Sequence, residues 1–165
     1  MITLKLLDNC YVDTIVQWYR SGKYKEFFRG WPNQLEFPNV TTLYQLDPNS
    51  IFIGIFDNHC IRGLITLGQI NPKVKSVVWG LMVQEGDYKR SALAIPAAKQ
   101  LLHYLFKEQN YNKLYSYTLA KDQHIVRLLE MYGFTREAIL REHCYFDGQL
   151  HTEYIYSILK SEYKE

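Results

Sequence analysis

His103, His124 and His143 are the first residues to weigh as proton carriers, because an imidazole changes charge near neutral pH. No His-x-x-x-His pair or Cys/His cluster accompanies them, so the pattern offers no metal site. Cys10, Cys60 and Cys144 are odd in number and far apart in sequence, which argues against both a disulfide framework and a zinc site. Free thiols of this kind fit a reducing cytosol, and a cytoplasmic protein is expected. The run Lys89-Arg90-Ser91-Ala92-Leu93-Ala94 has a different chemistry. It stands between a strand-like segment and a helix-like one, and a helix that starts there presents unpaired N–H groups and the positive end of its dipole, a natural seat for a diphosphate. Two readings stay open. Either Ser91, Ala92 and Ala94 supply amides while Lys89 and Arg90 add charge, or the two cations are ordinary solvated residues at a helix start. Glu85, at the end of the preceding strand, is likewise a candidate base or a plain loop charge.

The elements that position these residues follow from periodicity. Ile2 to Leu6 alternates as a half-buried strand, Asp8 or Asn9 can cap a helix with Val12, Ile15, Val16 and Tyr19 on one face, and Gly22 can end it. Tyr24 to Pro48 is aromatic and proline-bearing with little period, so it reads as short helical pieces and loops. A meander follows: strand Ile51–Phe56, turn Asp57-Asn58-His59, strand Cys60–Ile70, turn Asn71-Pro72, strand Lys75–Val83. Ala92 to Gln109 has a helical face through Ile95, Ala98, Leu101, Leu102, Leu105 and Phe106. Strand Lys113–Leu119 leads to a helix over Asp122–Tyr132 that Gly133 stops, and two strands, Phe134–His143 and Cys144–Leu159, join around Asp147-Gly148. The order β-α-α-β-β-β-α-β-α-β-β predicts an α/β (α+β) fold with a mixed, mostly antiparallel central sheet and helices on both faces.

At 165 residues the chain has the length of one domain and can bury a core unaided, so residues 1–165 are expected to form a single domain. Apolar residues make up 47% and charged residues 22%, which excludes disordered and fibrous classes. A net charge of +2 without a basic stripe argues against a nucleic-acid partner. No apolar run approaches membrane-spanning length, and Met1 to Asp8 is not a signal sequence, so no membrane association is expected.

Element order and local motifs together resemble the GNAT superfamily, the acyl-CoA-dependent amine N-acyltransferases, and most closely its branch of ribosomal-protein-type N-terminal acetyltransferases. The motif positions are Asp122, where the family often has Asn, then Arg127, Glu130, Gly133-Phe134, Glu137 and Gly148, and Leu101 to Phe106 is similar to the family helix that ends in Tyr-x-Phe. The resemblance implies an N-acetyltransferase that moves an acetyl group from acetyl-CoA, its co-substrate, to a primary amine: a protein N-terminus, a small amine or an amino sugar. It implies no metal, and leaves a homodimer open. It also implies the site. Leu81, Met82 and Val83 would pair through their backbone with the pantetheine arm, a backbone N–H there would hold the oxyanion, and Lys89 to Ala94 with Asp122 would complete the cofactor site.

The family's diphosphate loop reads Q/R-x-x-G-x-G/A, and counting back from Tyr104 assigns its glycine positions to Ser91 and Leu93. A left-handed Leu93 would cost about 1–2 kcal/mol, and its side chain would crowd a phosphate. Pro96 would sit in the first helical turn. Amine acylation also needs a base and an acid. Glu85 is the carboxylate to consider for the base, and His124, near the expected cofactor edge, is a further candidate. The Tyr that many members place four residues before Gly-Phe is Leu129 here, so Tyr132, three residues on, is the alternative acid. These departures motivate a second reading, a GNAT-shaped domain that has lost its chemistry and serves as a binding or assembly module.

Overall fold

A computed structural model describes residues 1–28, 49–84 and 90–164. The elements in chain order are β1 (Ile2–Leu6), a 3-10 turn over Asn9–Tyr11, α1 (Val12–Arg20), β2 (Ile51–Asp57), β3 (Cys60–Asn71), β4 (Ser76–Val83), α2 (Arg90–His103), β5 (Lys113–Leu119), α3 (Gln123–Met131), β6 (Thr135–Phe146) and β7 (Gln149–Leu159). They form a seven-stranded sheet of order β1-β2-β3-β4-β5-β7-β6. β4 and β5 pair in parallel, whereas β1 with β2, β2 with β3, β5 with β7 and β6 with β7 pair antiparallel. This is the mixed, mostly antiparallel sheet expected from the element order. The second helix of that order falls in a stretch that lies mainly outside the described residues.

The backbone groups into two compact units, Met1–Gly68 with Gly80–Leu102 and Gln69–Trp79 with His103–Glu165. The core of the first is built on α1, whose Val12, Ile15 and Val16 recur at helical spacing and are buried with Trp18, among them Ile15 completely. Burying such an aliphatic side chain contributes about 1.5–3 kcal/mol. They meet Phe52, Phe56 and Leu64 of β2 and β3. Tyr19, expected on this face, is only partly buried and packs on its rim. β2 turns into β3 through Asn58 and His59, both with positive φ (46° and 68°), the geometry that suits the right-handed twist of paired strands.

In the second unit β7 is central, paired to β5 from Glu153 to Leu159 and to β6 along its length. Asp147 and Gly148 turn the hairpin with φ of 56° and 81°, so Cys144 to Phe146 belong to β6 and not, as the sequence suggested, to the last strand. The long helix also differs from expectation. α2 ends at His103, and Tyr104–Glu108 form a π turn that leaves Phe106 fully buried against the ring of Tyr163 at 5.2 Å.

Candidate active site

The seat suggested for a diphosphate is the start of α2, and the helix there begins at Arg90, two residues earlier than the apolar period indicated. Ser91 is its second residue. The N–H groups of Arg90, Ser91 and Ala92, its first three residues, therefore have no acceptor within the helix. Leu93 is helical, is absent from the residues with positive φ and is only 5% exposed, so its side chain belongs to the core and crowds nothing outside it. It starts a stripe continued by Ala97 and Leu101, one turn apart each. Ala92 is exposed and Ala94 is half-buried. The left-handed Leu93 that the counted register would require is thus not found in this helix. Pro96 also moves. It lies in the second turn, where its missing N–H leaves the Ala92 carbonyl without its usual partner.

Leu81, Met82 and Val83 close β4; Met82 and Val83 are buried and Leu81 is half-buried. On its β3 side the strand is fixed tightly. Gln84 N–H donates to the Arg62 carbonyl at 2.7 Å, and a Cβ on Gly63 would lie 2.4 Å from the Met82 carbonyl oxygen. The parallel ladder to β5 is short, running only from Ser76 to Val78 opposite Lys113 to Tyr115, although β4 continues to Val83 and β5 to Leu119. Glu85 and Lys89, the expected base and one of the two cations, lie outside the described residues.

On α3 the motif residues have structural partners. Asp122 is the N-cap, its carboxylate accepting from Ile125 N–H at 3.3 Å, which any Asn at this position would also do through its amide oxygen. Leu129 is 4% exposed and apolar, so the family's acid position carries no proton here. Tyr132 caps the C-terminus and is half-buried, and burial pushes its hydroxyl above the ordinary phenol pKa. Gly133 takes φ of 83° and ends the helix. Glu130 accepts from the hydroxyl of Tyr156 at 2.8 Å, tying α3 to β7, and the fully buried Tyr156 is pushed above the ordinary phenol pKa by burial and then by that bond. His124 is exposed at the start of α3 and His143 is exposed on β6.

Glu137, a motif position in the sequence, is the centre of a polar cluster that residue types did not reveal. This residue is the extra one in a β-bulge, with Arg136 opposite Tyr156 and Ala138 opposite Ile155. The bulge turns its carboxylate onto two donors, Lys113 Nζ and Ser157 Oγ, each 2.6 Å from the same Oε1. The bonds from Lys113 and then Ser157 hold the Glu137 pKa below the ordinary carboxyl value. Burial works against the Lys113 ammonium, but the bonds to Glu137 and Tyr115 outweigh it and leave its pKa raised. Among the described residues no group of His, Cys, Asp and Glu is arranged to hold a metal, and no helix is long and apolar enough to cross a membrane.

Residues 5–155 match the family model described as an acetyltransferase (GNAT) domain. No curated protein matches the chain by sequence. Solved structures share the fold. Spermidine N-acetyltransferase from Vibrio cholerae, in complex with CoA and spermine, is 21% identical with a TM-score of 0.83 over 98% of this chain and 97% of that one. A chimera of that enzyme, SpeG, and hSSAT gives 21% identity and a TM-score of 0.82 over 98% and 97%. A dodecameric structure of the Vibrio cholerae enzyme gives 19% and 0.78 over 97% and 94%.

Proposed function

The chain belongs to the GNAT acetyltransferase family, and on that premise we propose that its residues 1–165 work as one domain that acetylates a primary amine, with acetyl-CoA as co-substrate. The observation that carries the reading is the first turn of α2. The opening N–H groups of Arg90, Ser91 and Ala92 have no acceptor within the helix, Ala92 is exposed, and Leu93 is withdrawn into the core. In this reading Ala92, small and exposed, lies where the phosphates approach. Arg90 and Lys89 add charge to the diphosphate, and the backbone of Leu81, Met82 and Val83, on the stretch of β4 beyond the short ladder, takes the pantetheine arm. Asp122 keeps its cap role and orients the first turn of α3.

Acetyl-CoA supplies an activated thioester; the chain's own groups must orient it, hold negative charge on the acyl oxygen and manage two protons. A backbone N–H of β4 binds that oxygen. Glu85 takes a proton from the amine, and Tyr132, a phenol and so protonated at neutral pH, gives one to the departing sulfur. Leu93 supported the degenerate-module reading only as long as it stood over the phosphates, so the transferase is the reading preferred here.

For the acceptor we favour an aliphatic polyamine, because structures of this fold bind spermine. The N-terminal acetyltransferase branch suggested by the local motifs makes a Ser- or Ala-led peptide the comparison acceptor. Self-association as a homodimer and a reducing cytoplasm, which suits the three free thiols, are parts of the same reading. The test is thiol release from acetyl-CoA, followed with a thiol reagent, in the presence of spermidine, spermine, a Ser-led peptide or an amino sugar. Acceptor-dependent release supports the transferase, a preference for the peptide moves the acceptor to protein N-termini, and no release with any of them, while acetyl-CoA still binds, leaves the module.

A further inference from the structure

Trp79 of β4 has an indole N–H with no accounted use. The side chain is 8% exposed, its Nε1 is buried, and that atom has no hydrogen-bond partner among the described residues. A buried donor left unmade costs about 1–3 kcal/mol, so a native protein that keeps one requires an explanation. The ring cannot turn freely to find a partner, because it is stacked on Phe134 with centroids 6.0 Å apart and planes at 25°. Phe134 is itself 4% exposed, and its N–H is bonded to the Leu129 carbonyl at 3.0 Å.

Its position in the strand is informative. The last rung of the parallel ladder pairs Val78 with Tyr115, so Trp79 is the first β4 residue beyond it, and Ser116, buried, is the first on β5. Leu81, the nearest β4 residue assigned above to the pantetheine arm, is two residues further on, about 7 Å along a strand. An indole N–H is a donor only. Its missing partner is therefore an acceptor, which rules out a protonated amine and suits a carbonyl oxygen.

We propose that the Trp79 indole N–H is a ligand-directed donor, which hydrogen-bonds the acyl carbonyl oxygen of the thioester co-substrate and assists the β4 backbone in holding charge there. This rests on the acetyl-CoA reading given above. A donor aimed at an oxygen that gains negative charge is worth about 10²–10³ in rate, and a neutral one achieves this without competing for the amine.

The experiment is an NMR titration of the wild-type protein labelled with 15N, alongside calorimetry. The chain has three tryptophans, Trp18, Trp31 and Trp79, so three indole signals, which single Trp→Phe variants assign. Trp79→Phe removes the N–H and leaves a smaller aromatic ring facing Phe134. The expected result is that acetyl-CoA moves the Trp79 signal downfield while CoA without an acyl group does not, and that Trp79→Phe lowers kcat about 100-fold with CoA affinity unchanged. An unmoved Trp79 signal under acetyl-CoA that calorimetry shows to be bound overturns the inference and leaves the transferase reading intact. Absence of any binding heat overturns both. Should Trp79→Phe fail to fold, the wild-type titration still decides, because Trp18→Phe and Trp31→Phe identify the remaining signal.

Discussion

Replacing Gly63 with alanine perturbs the stretch of β4 assigned to the cofactor from its far side. A Cβ at this position would stand 2.4 Å from the Met82 carbonyl oxygen, 3.0 Å from the Ile55 side chain and 3.3 Å from the Val83 Cα, whereas ordinary contact begins at 3.4 Å. The closest neighbour is backbone, so relief requires moving β4 at Met82 by about 1 Å, not turning a side chain. Overpacking of this kind costs about 1–3 kcal/mol. The same displacement falls on the residues proposed to take the pantetheine arm, and a 1 Å misplacement can cost about 100-fold in turnover. Urea denaturation, calorimetry with CoA and steady-state kinetics on Gly63→Ala measure these effects, with Gly22→Ala as control. Gly22 also meets open space and has a positive φ of 68°, so its alanine carries backbone strain but no clash with β4. Gly63→Ala should lose stability, affinity and turnover together, and Gly22→Ala stability alone. Unchanged CoA affinity and turnover in a Gly63→Ala protein that has lost stability would refute the use of Met82 and its neighbours as the cofactor edge.

Glu137→Gln should lower the melting temperature at neutral pH. Because the folded pKa of Glu137 lies below the ordinary 4.5, its contribution is present above that value and is lost as the pH falls through the depressed one, so wild type and variant should converge in acid. Asp122→Ala should cost about 0.5–2 kcal/mol by denaturant titration through the lost cap, and Asp122→Asn much less. Tyr132→Phe should lower kcat about 100-fold or more with acetyl-CoA affinity unchanged, as expected for a lost proton donor; equal kcat would show that the hydroxyl only packs.

Strand periods and turn chemistry were enough to read most of the fold. Lys113–Leu119 was read to the residue, and the tight turns at Asn58-His59 and Asp147-Gly148 were recognisable because few residue types accept positive φ. The motif positions of the last third proved to have local structural jobs, which is why they stand out: Asp122 caps a helix, Gly133 ends it, and Glu130 and Glu137 accept hydrogen bonds from Tyr156, Lys113 and Ser157. What periodicity could not fix was the start of α2. Its first turn carries small residues on both sides of Leu93, so the apolar period begins only once the helix is under way. The counted register therefore assigned an outer position to Leu93, a residue that the helix buries. The Glu137 cluster and the Trp79 donor were not readable either, because a bulge and the end of a ladder leave no mark in residue type.

In the proposed site the start of α2 grips the diphosphate of acetyl-CoA through backbone amides, with charge from Arg90. Calorimetric titration of acetyl-CoA into wild type and Arg90→Glu measures that grip. Wild type should bind saturably, with an affinity that is weakened in the variant and that falls as salt is added. No heat with wild type at high micromolar acetyl-CoA, or equal affinity in the two proteins, would contradict it.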